Sequence, residues 1–369
     1  NMETGFRLLE LDADGNILWE KCYQNNMLFG QENIIPTSDG GYLCGSCAFG
    51  SGAAGLSCMK LNEKKEMKWF KIYKWSTPIG YQYMEMIQTV DDGYIIRSEV
   101  GFDPGSNIRC SFIMKIDGHG VTQWSKIISS EDGSACINSM VPTSNGGLMA
   151  VGHIASIENS MWIMKVDRAG NFVWQKSIPC YNNYSSMIVK NLDDTYAILY
   201  QNVNDGHFSL LGINENGSIL WSKGYFMENI APRMLKAVGN GGYIIDAIKS
   251  RPLDQQPYNI LIRTGKHGNI QWQIEYGYTD HPFVVNDIAE TSDGGYIETI
   301  AHYEGVNWMQ QQGFVVKMDS TGDSGIPCLL LDNASVTSED FVLELSDVST
   351  GTITEYAIEP IDFSTSSWD

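Results

Sequence analysis

Apolar and β-branched residues come in short runs along the whole chain, each bounded by Gly, Asp or Asn, and four such runs make one unit. In one unit the runs cover residues 137–143, 148–153, 162–167 and 172–178. Runs of that length and composition predict β-strands, named A to D in chain order. No segment keeps apolar residues at a 3.6-residue spacing long enough to predict a helix. The link between A and B reads TSNGG, and the link between C and D reads DRAGN. Both predict tight hairpins, because Asp or Asn caps the local backbone and Gly takes a positive φ without a Cβ clash.

The unit recurs. Strand C with its turn gives LELDADGNILW, MKLNEKKEMKW, MKIDGHGVTQW, MKVDRAGNFVW, LGINENGSILW, IRTGKHGNIQW and a last VKMDSTGDSGI. Six copies end on a tryptophan, Trp19, Trp69, Trp124, Trp174, Trp221 and Trp272, at intervals of 50, 55, 50, 47 and 51 residues. Between the tryptophans the A–B turn recurs as TSDGGY from Thr37, TVDDGY from Thr89, TSNGGL from Thr143, NLDDTY from Asn191, VGNGGY from Val238 and TSDGGY from Thr291. Gly15, Gly120, Gly170, Gly217, Gly268 and Gly322 share one slot of the C–D turn; the second copy has Lys65 there, which predicts a turn of different build. Four antiparallel strands at a period near fifty predict an all-β fold of the β-propeller class. The tryptophan of strand D is then a flat wedge between adjacent blades.

Strand counting sets the closure. Strands C and D at residues 6–12 and 17–23 open the chain, five complete sets follow, and A, B and C of a further set fall at 286–291, 296–302 and 314–319, with a degenerate D near 326–331. Residues 341–346 and 352–358 are two more strand-like runs. As A and B for the orphan pair at the amino terminus, they complete a seventh blade zipped from both chain ends. Donated to a neighbouring molecule, they leave six blades and a polymerising tail. On either reading residues 1–331 are propeller repeats and 332–369 a strand pair of different composition.

The phrases KxDxxGNxxWxK and TxDGGY resemble the DGGY-type repeats of β-propeller proteins secreted by bacteria and archaea, from Phe6 to about Asp319. The phrase DSTGDSGIPC resembles the way such arrays end. The resemblance implies the propeller fold, secretion and a place outside the cell or on its surface. The C–D hairpin is also similar to the tryptophan-docking repeat of pyrroloquinoline quinone dehydrogenases, AxDxxTGxxxW. Here the threonine before the glycine occurs only at Thr321, in the copy that lacks the tryptophan. No cofactor is expected, and function has to be argued from a site rather than from the fold.

Charge narrows the partners. The 369 residues carry a net charge of −20, with the basic residues scattered, which argues against nucleic acid and acidic lipid surfaces. No stretch approaches twenty apolar residues, so no membrane span is expected. Eight cysteines permit a disulfide set, with Cys110 and Cys136 the first candidate pair and buried free thiols the other reading. Sequons at Asn183, Asn216 and Asn333 fit export.

Up-and-down strands put the A–B and C–D turns on one face and the more variable B–C and D–A loops on the other. Those loops hold Trp75, Tyr81, Tyr83, Tyr181, Tyr184, Tyr278, His281, Tyr303 and Trp308. Aromatic side chains on a rigid scaffold stack on sugars or anchor a protein partner, although packing under their own loops is the plainer role. The A strands would line a channel with Glu32, Glu85, Asn138, Arg233, Asn286 and Asp287, a set suited to a cation or to acid–base work, or simply a solvated acidic channel. Neither HExxH nor GxSxG occurs; CGSC at 44–47 falls on a strand rather than at a helix start, and GSGAAG at 50–55 is followed by a strand from Leu56 rather than by a helix. Asp12, Asp14 and Asn16 lack the spacing of a calcium loop. No catalytic residue and no metal is expected. The reading is a secreted, non-catalytic propeller for extracellular structure or recognition, such as a subunit of a surface assembly or filament, with other protein subunits or surface glycans as partners. A carbohydrate-binding or carbohydrate-cleaving propeller and a quinone-dependent dehydrogenase are the alternatives.

Overall fold

A computed structural model describes residues 5–13, 15–24, 28–50, 53–74, 80–101, 109–130, 134–154, 160–180, 186–202, 207–249, 258–276, 283–303, 311–325, 330–332, 337–340, 346–347, 351–355 and 360–362. These residues are strand and turn throughout; none forms a helix long and apolar enough to cross a membrane. The chain is all-β and built from antiparallel blades of the propeller class. A hairpin of Gly5–Leu11 and Ile17–Gln24 comes first, five four-stranded blades follow at residues 28–74, 80–130, 135–179, 187–226 and 230–276, and a three-stranded sheet at 283–318 comes last. Two compact units divide the chain: residues 1–158, 163–175 and 347–369, and residues 159–162 and 176–346. Strands B and C carry the core, and Ser160–Val166 and Tyr258–Thr264 are buried at every position.

Each letter of the A–B phrase has a physical reason. The threonine amide bonds the carbonyl four residues on, as in Thr37 to Gly41 at 2.9 Å, and its hydroxyl reaches the Asp or Asn carboxyl or amide oxygen two residues on, as in Thr37 to Asp39 at 2.5 Å and Thr143 to Asn145 at 2.6 Å. The first glycine takes a positive φ, 77° at Gly40, and Asp92 and Asp194 hold that slot at 58° and 59° in the two copies that lack it. The second glycine has a different cause. A Cβ on Gly41, Gly147 or Gly242 would lie 2.1 Å from a carbonyl oxygen of the neighbouring strand C or its end.

Strand C supplies the next lock. The lysine of its K-x-D phrase, K-x-N in the first blade, is buried beneath the A–B turn: Lys60 Nζ donates to Asp39 at 2.8 Å and Thr37 at 3.0 Å, and Lys115 Nζ to Asp91 at 2.7 Å. The aspartate of K-x-D then caps its own turn, Asp117 Oδ1 accepting from the His119 and Val121 amides at 2.9 and 2.8 Å. Lys65, expected to change the second C–D turn, does not. It adopts φ 63° and keeps the hydrogen bonds of the glycine copies, Lys65 N to Asn62 O and Asn62 N to Glu66 O, both 2.9 Å. Asn62 holds the strained slot by accepting the Glu66 amide at 2.8 Å and donating to its carboxylate at 2.8 Å.

Within each compact unit, strand D docks on the C–D turn of the next repeat. Trp69, Trp124 and Trp272 donate Nε1–H to the carbonyls of Gly118, Arg168 and Ser320 at 3.0, 2.9 and 3.1 Å, in each case the residue after the turn aspartate. Four residues further, the hydroxyls of Tyr23, Tyr73 and Tyr225 donate to Lys65, Gly120 and Gly268 at 3.1, 2.9 and 2.5 Å. Between them the stems of Lys71, Lys126 and Lys223 lie where a Cβ on Gly120, Gly170 or Gly268 would go. The repeat tryptophans, Trp19 and Trp174 included, are half-buried rather than enclosed. Among the described residues the fully buried indole is Trp162.

The tail takes a different course from the expected one. Leu330–Asp332 pairs with Ile270–Tyr276 and Thr337–Asp340 with Ile219–Phe226; in the other unit Gly351–Glu355 pairs with Thr122–Ser130 and Pro360–Asp362 with Met67–Lys74. All are antiparallel additions to strand D, the outer edge of a blade, and the opening hairpin remains a two-stranded sheet. Residues 330 and 331, expected in the last strand D, belong to this series. The physical reason is that an outer strand leaves a row of N–H and C=O groups open, and a short strand satisfies them. Charge follows the same logic: the register sets Lys223 opposite Asp340, Lys126 opposite Glu355 and Lys71 opposite Asp362. Glu275 opposite Asp332 is the exception.

Candidate functional site

The loop aromatics named from the sequence fall at the limits of the structure. Trp75, Tyr181, Tyr184, Tyr278, His281 and Trp308 lie outside the described residues, while Tyr81, Tyr83 and Tyr303 are placed as strand backbone only. Asn183 and Asn333 also lie outside; Asn216 is an exposed residue of the fifth C–D turn.

The residues assigned to a channel are better defined. Asn138, Arg233 and Asn286 are each the extra residue of a β-bulge in strand A, where the ladder skips from Ile137 to Ser139, from Pro232 to Met234 and from Val285 to Asp287. A bulge re-aims one side chain away from the pleat, and recurrence at one position makes it a property of the repeat. Glu32 follows the corresponding irregularity in the first blade. Glu85 receives Arg97 Nε at 3.2 Å and the Met140 amide at 3.3 Å; burial pushes its carboxyl up, and Arg97 opposes that shift. Arg97 also donates to the Ile137 and Asn138 carbonyls at 2.5 and 3.1 Å, tying the second blade to strand A of the third. Asp287 pairs with Lys236 at 2.7 Å. Glu85 and Asp287 are therefore each paired with a cation of a neighbouring strand.

The candidate disulfide is not formed. Cys110 and Cys136 are buried free thiols on neighbouring strands. The bridge between those strands pairs Cys110 with Ala135, so register offsets Cys136 by one residue, and its Sγ lies 3.4 Å from the Arg109 carbonyl. Burial pushes the Cys136 thiol up to about 12, which leaves it unreactive at neutral pH.

Three features were not expected. In the first unit a cleft opens on the turn face, beside Asp39, Lys68, Trp69, Gln88, Asp92 and His119. Its rim is pre-ordered: Ser38 donates its amide to Gln88 at 2.8 Å and its hydroxyl to Asp92 at 2.9 Å, and Lys68 reaches Asp39 at 3.0 Å. The hydrogen bonds from Lys60 and Thr37 hold the Asp39 carboxyl well below the usual range, so the cleft keeps a carboxylate and an indole side by side. A second cavity of about 260 Å3 between the opening hairpin and the first blade is lined by Leu8, Ile34, Cys44, Met59 and Phe70. In the second unit, Asp246, Tyr276 and Glu298 form a buried cluster. The cleft's turn motifs are plain in the sequence; that two adjacent repeats of the first unit bring them together is a tertiary fact that the motifs do not state.

No protein-family model matches the chain, and no curated protein does. Among solved structures, a protein of unknown function from Dyadobacter fermentans aligns with a TM-score of 0.44 at 10% identity, over 90% of this chain and 87% of that one. A GH43 β-1,3-galactosidase with galactodeoxynojirimycin aligns with a TM-score of 0.39 at 11% identity, over 73% and 98%. A second GH43 β-1,3-galactosidase aligns with a TM-score of 0.33 at 12% identity, over 94% and 95%.

Proposed function

We propose that the protein is a secreted, non-catalytic propeller-class scaffold for extracellular structure or recognition. The observation that supports this best is where the repeated polar and aromatic residues go. The K-x-D lysines and both turn carboxylates are engaged in holding the turns of their own blade, and the strand-D tryptophans in docking one repeat on the next. A scaffold of this kind presents surfaces rather than reacting groups. The test is to fractionate the source cells and assay the purified chain on a panel of aryl glycosides. The proposal requires recovery outside the cell or on its surface with no turnover. Turnover that a single carboxylate substitution abolishes, or recovery in the cytoplasm, would contradict it.

A second reading, glycan recognition, draws on the cleft at Trp69. An indole beside pre-ordered carboxylates and an amide is the chemistry that holds a sugar ring, its apolar face on the aromatic and its hydroxyls on the acceptors. Binding on a glycan array that Asp92→Ala and His119→Ala each weaken tenfold would establish it; an array at background would remove it.

A further inference from the structure

Strand B of the fifth blade carries an acid where its counterparts do not. Four residues into that strand the second, third and fourth blades have Arg97, Val151 and Leu199, and the fifth has Asp246. Asp246 is fully buried, as is Glu298 on strand Tyr296–Tyr303 of the next sheet. Between them stands Tyr276, its hydroxyl 3.1 Å from Asp246 Oδ1 and 3.0 Å from Glu298 Oε1. A tyrosine hydroxyl has one hydrogen and can donate to one carboxylate only. The other contact is a hydrogen bond only if that carboxyl is protonated and donates to the tyrosine oxygen. The outer oxygens, Asp246 Oδ2 and Glu298 Oε2, have no partner among the described residues, which makes an ionised pair costlier still.

The surroundings hold little to offset two charges. On strand Tyr258–Thr264, Asn259 is buried, sits opposite Tyr276 in register and leaves both ends of its amide without a partner among the described residues. Arg233, the bulge residue of strand Ile230–Ala237, is the positive group that acts on Asp246. Lys236 of that strand is committed to Asp287 of strand Phe283–Glu290, and Lys317 of strand Gln311–Met318 to Asp293. Val316 and Met318, also on that last strand, are buried and apolar. We propose that Asp246, Tyr276 and Glu298 form a proton-dependent lock between the fifth blade and the sheet that follows it, closed while the carboxyls retain protons and loosened when both are ionised and those protons pass to solvent.

Burial pushes Asp246 up to about 7 and Glu298 to about 8; the charge of Asp246 further opposes ionisation of Glu298, while Tyr276 favours the ionised form of both and Arg233 that of Asp246. Both folded values stand above the ordinary carboxylate range near pH 4. The lock's contribution is therefore complete below about pH 4 and is lost as pH rises through about 7 and 8.

The test is the urea midpoint of the full chain from pH 5 to pH 9, for the wild type and for the D246N/E298Q variant, whose amides cannot ionise. The wild-type midpoint should fall between pH 6 and pH 9 relative to that of the variant. Parallel curves would overturn the proposal. Should the variant not fold, infrared difference spectra of the wild type decide: a protonated-carboxyl C=O band that disappears between pH 6 and pH 9 supports the lock, and the absence of that band contradicts it.

Discussion

Gly147 has no room for a side chain: a Cβ there would lie 2.1 Å from the Val166 carbonyl. Gly147→Ala must move two hydrogen-bonded strands apart, and should cost about 1–3 kcal/mol in urea unfolding. The repeat tryptophans act differently. Since Trp69, Trp124 and Trp272 are half-buried and donate one hydrogen bond each, a Phe at any of them keeps most of the packing and loses the bond. Each Trp→Phe change should lower stability by about 1 kcal/mol, read as a shift of the urea midpoint. The buried lysines add a pH dependence. Burial acts against ionisation of Asp91, but its bonds from Lys115 and Thr89 bring it down to about 2. A lowered carboxylate stabilises above its unfolded value and loses that contribution as pH falls through the folded one. Lys115→Met should therefore reduce stability at pH 7 and flatten the decline between pH 4 and pH 2, measured by acid titration of the intrinsic fluorescence.

Strands and hairpins were legible because their causes are local. Alternation, the TSDGG phrase and the DxxG phrase each fix a backbone within five or six residues, and the structure places four-stranded units where those phrases fall. The turn at Lys65 was misjudged because the sequence shows the missing glycine but not the support from Asn62 and Glu66. The burial of the K-x-D lysines was not legible, because it depends on the partner turn more than twenty residues earlier. Asp246 and Glu298 lie 52 positions apart, and nothing along the chain brings them to one tyrosine. The tail was the largest misreading. Its strands are two to five residues long, too short for the alternation that identifies a strand, and pair with strands of earlier repeats. The three Lys–acid register pairs predict that Lys223→Glu, which puts like charges opposite Asp340, destabilises that contact by up to about 1 kcal/mol. Faster amide exchange at residues 337–340 than at 351–355 would report it.

At the scale of the whole chain, the acidic tail joins strands distant in sequence. Removing residues 330–369 leaves the outer strands at 67–74, 122–130, 219–226 and 270–276 without those partners, and open edges pair with other chains. The truncated chain should aggregate with rising concentration in sedimentation experiments. Composition made the excess acid plain, and it could not show that part of it is set against the lysines of strand D. The candidate cleft was likewise out of reach, since it needs the relative placement of Trp69 and the turns at Asp39 and Asp92.

The central claim is that the repeats dock through their own motifs and that the tail lies on the outer strands of the same molecule. Hydrogen exchange by mass spectrometry on the dilute, monomeric full chain tests both together. The account predicts slow exchange at residues 71–73, 126–130 and 223–226, where tail strands pair in register. Fast exchange there in the monomer, with protection developing only as oligomers form, would show the tail to be donated between molecules and contradict the claim.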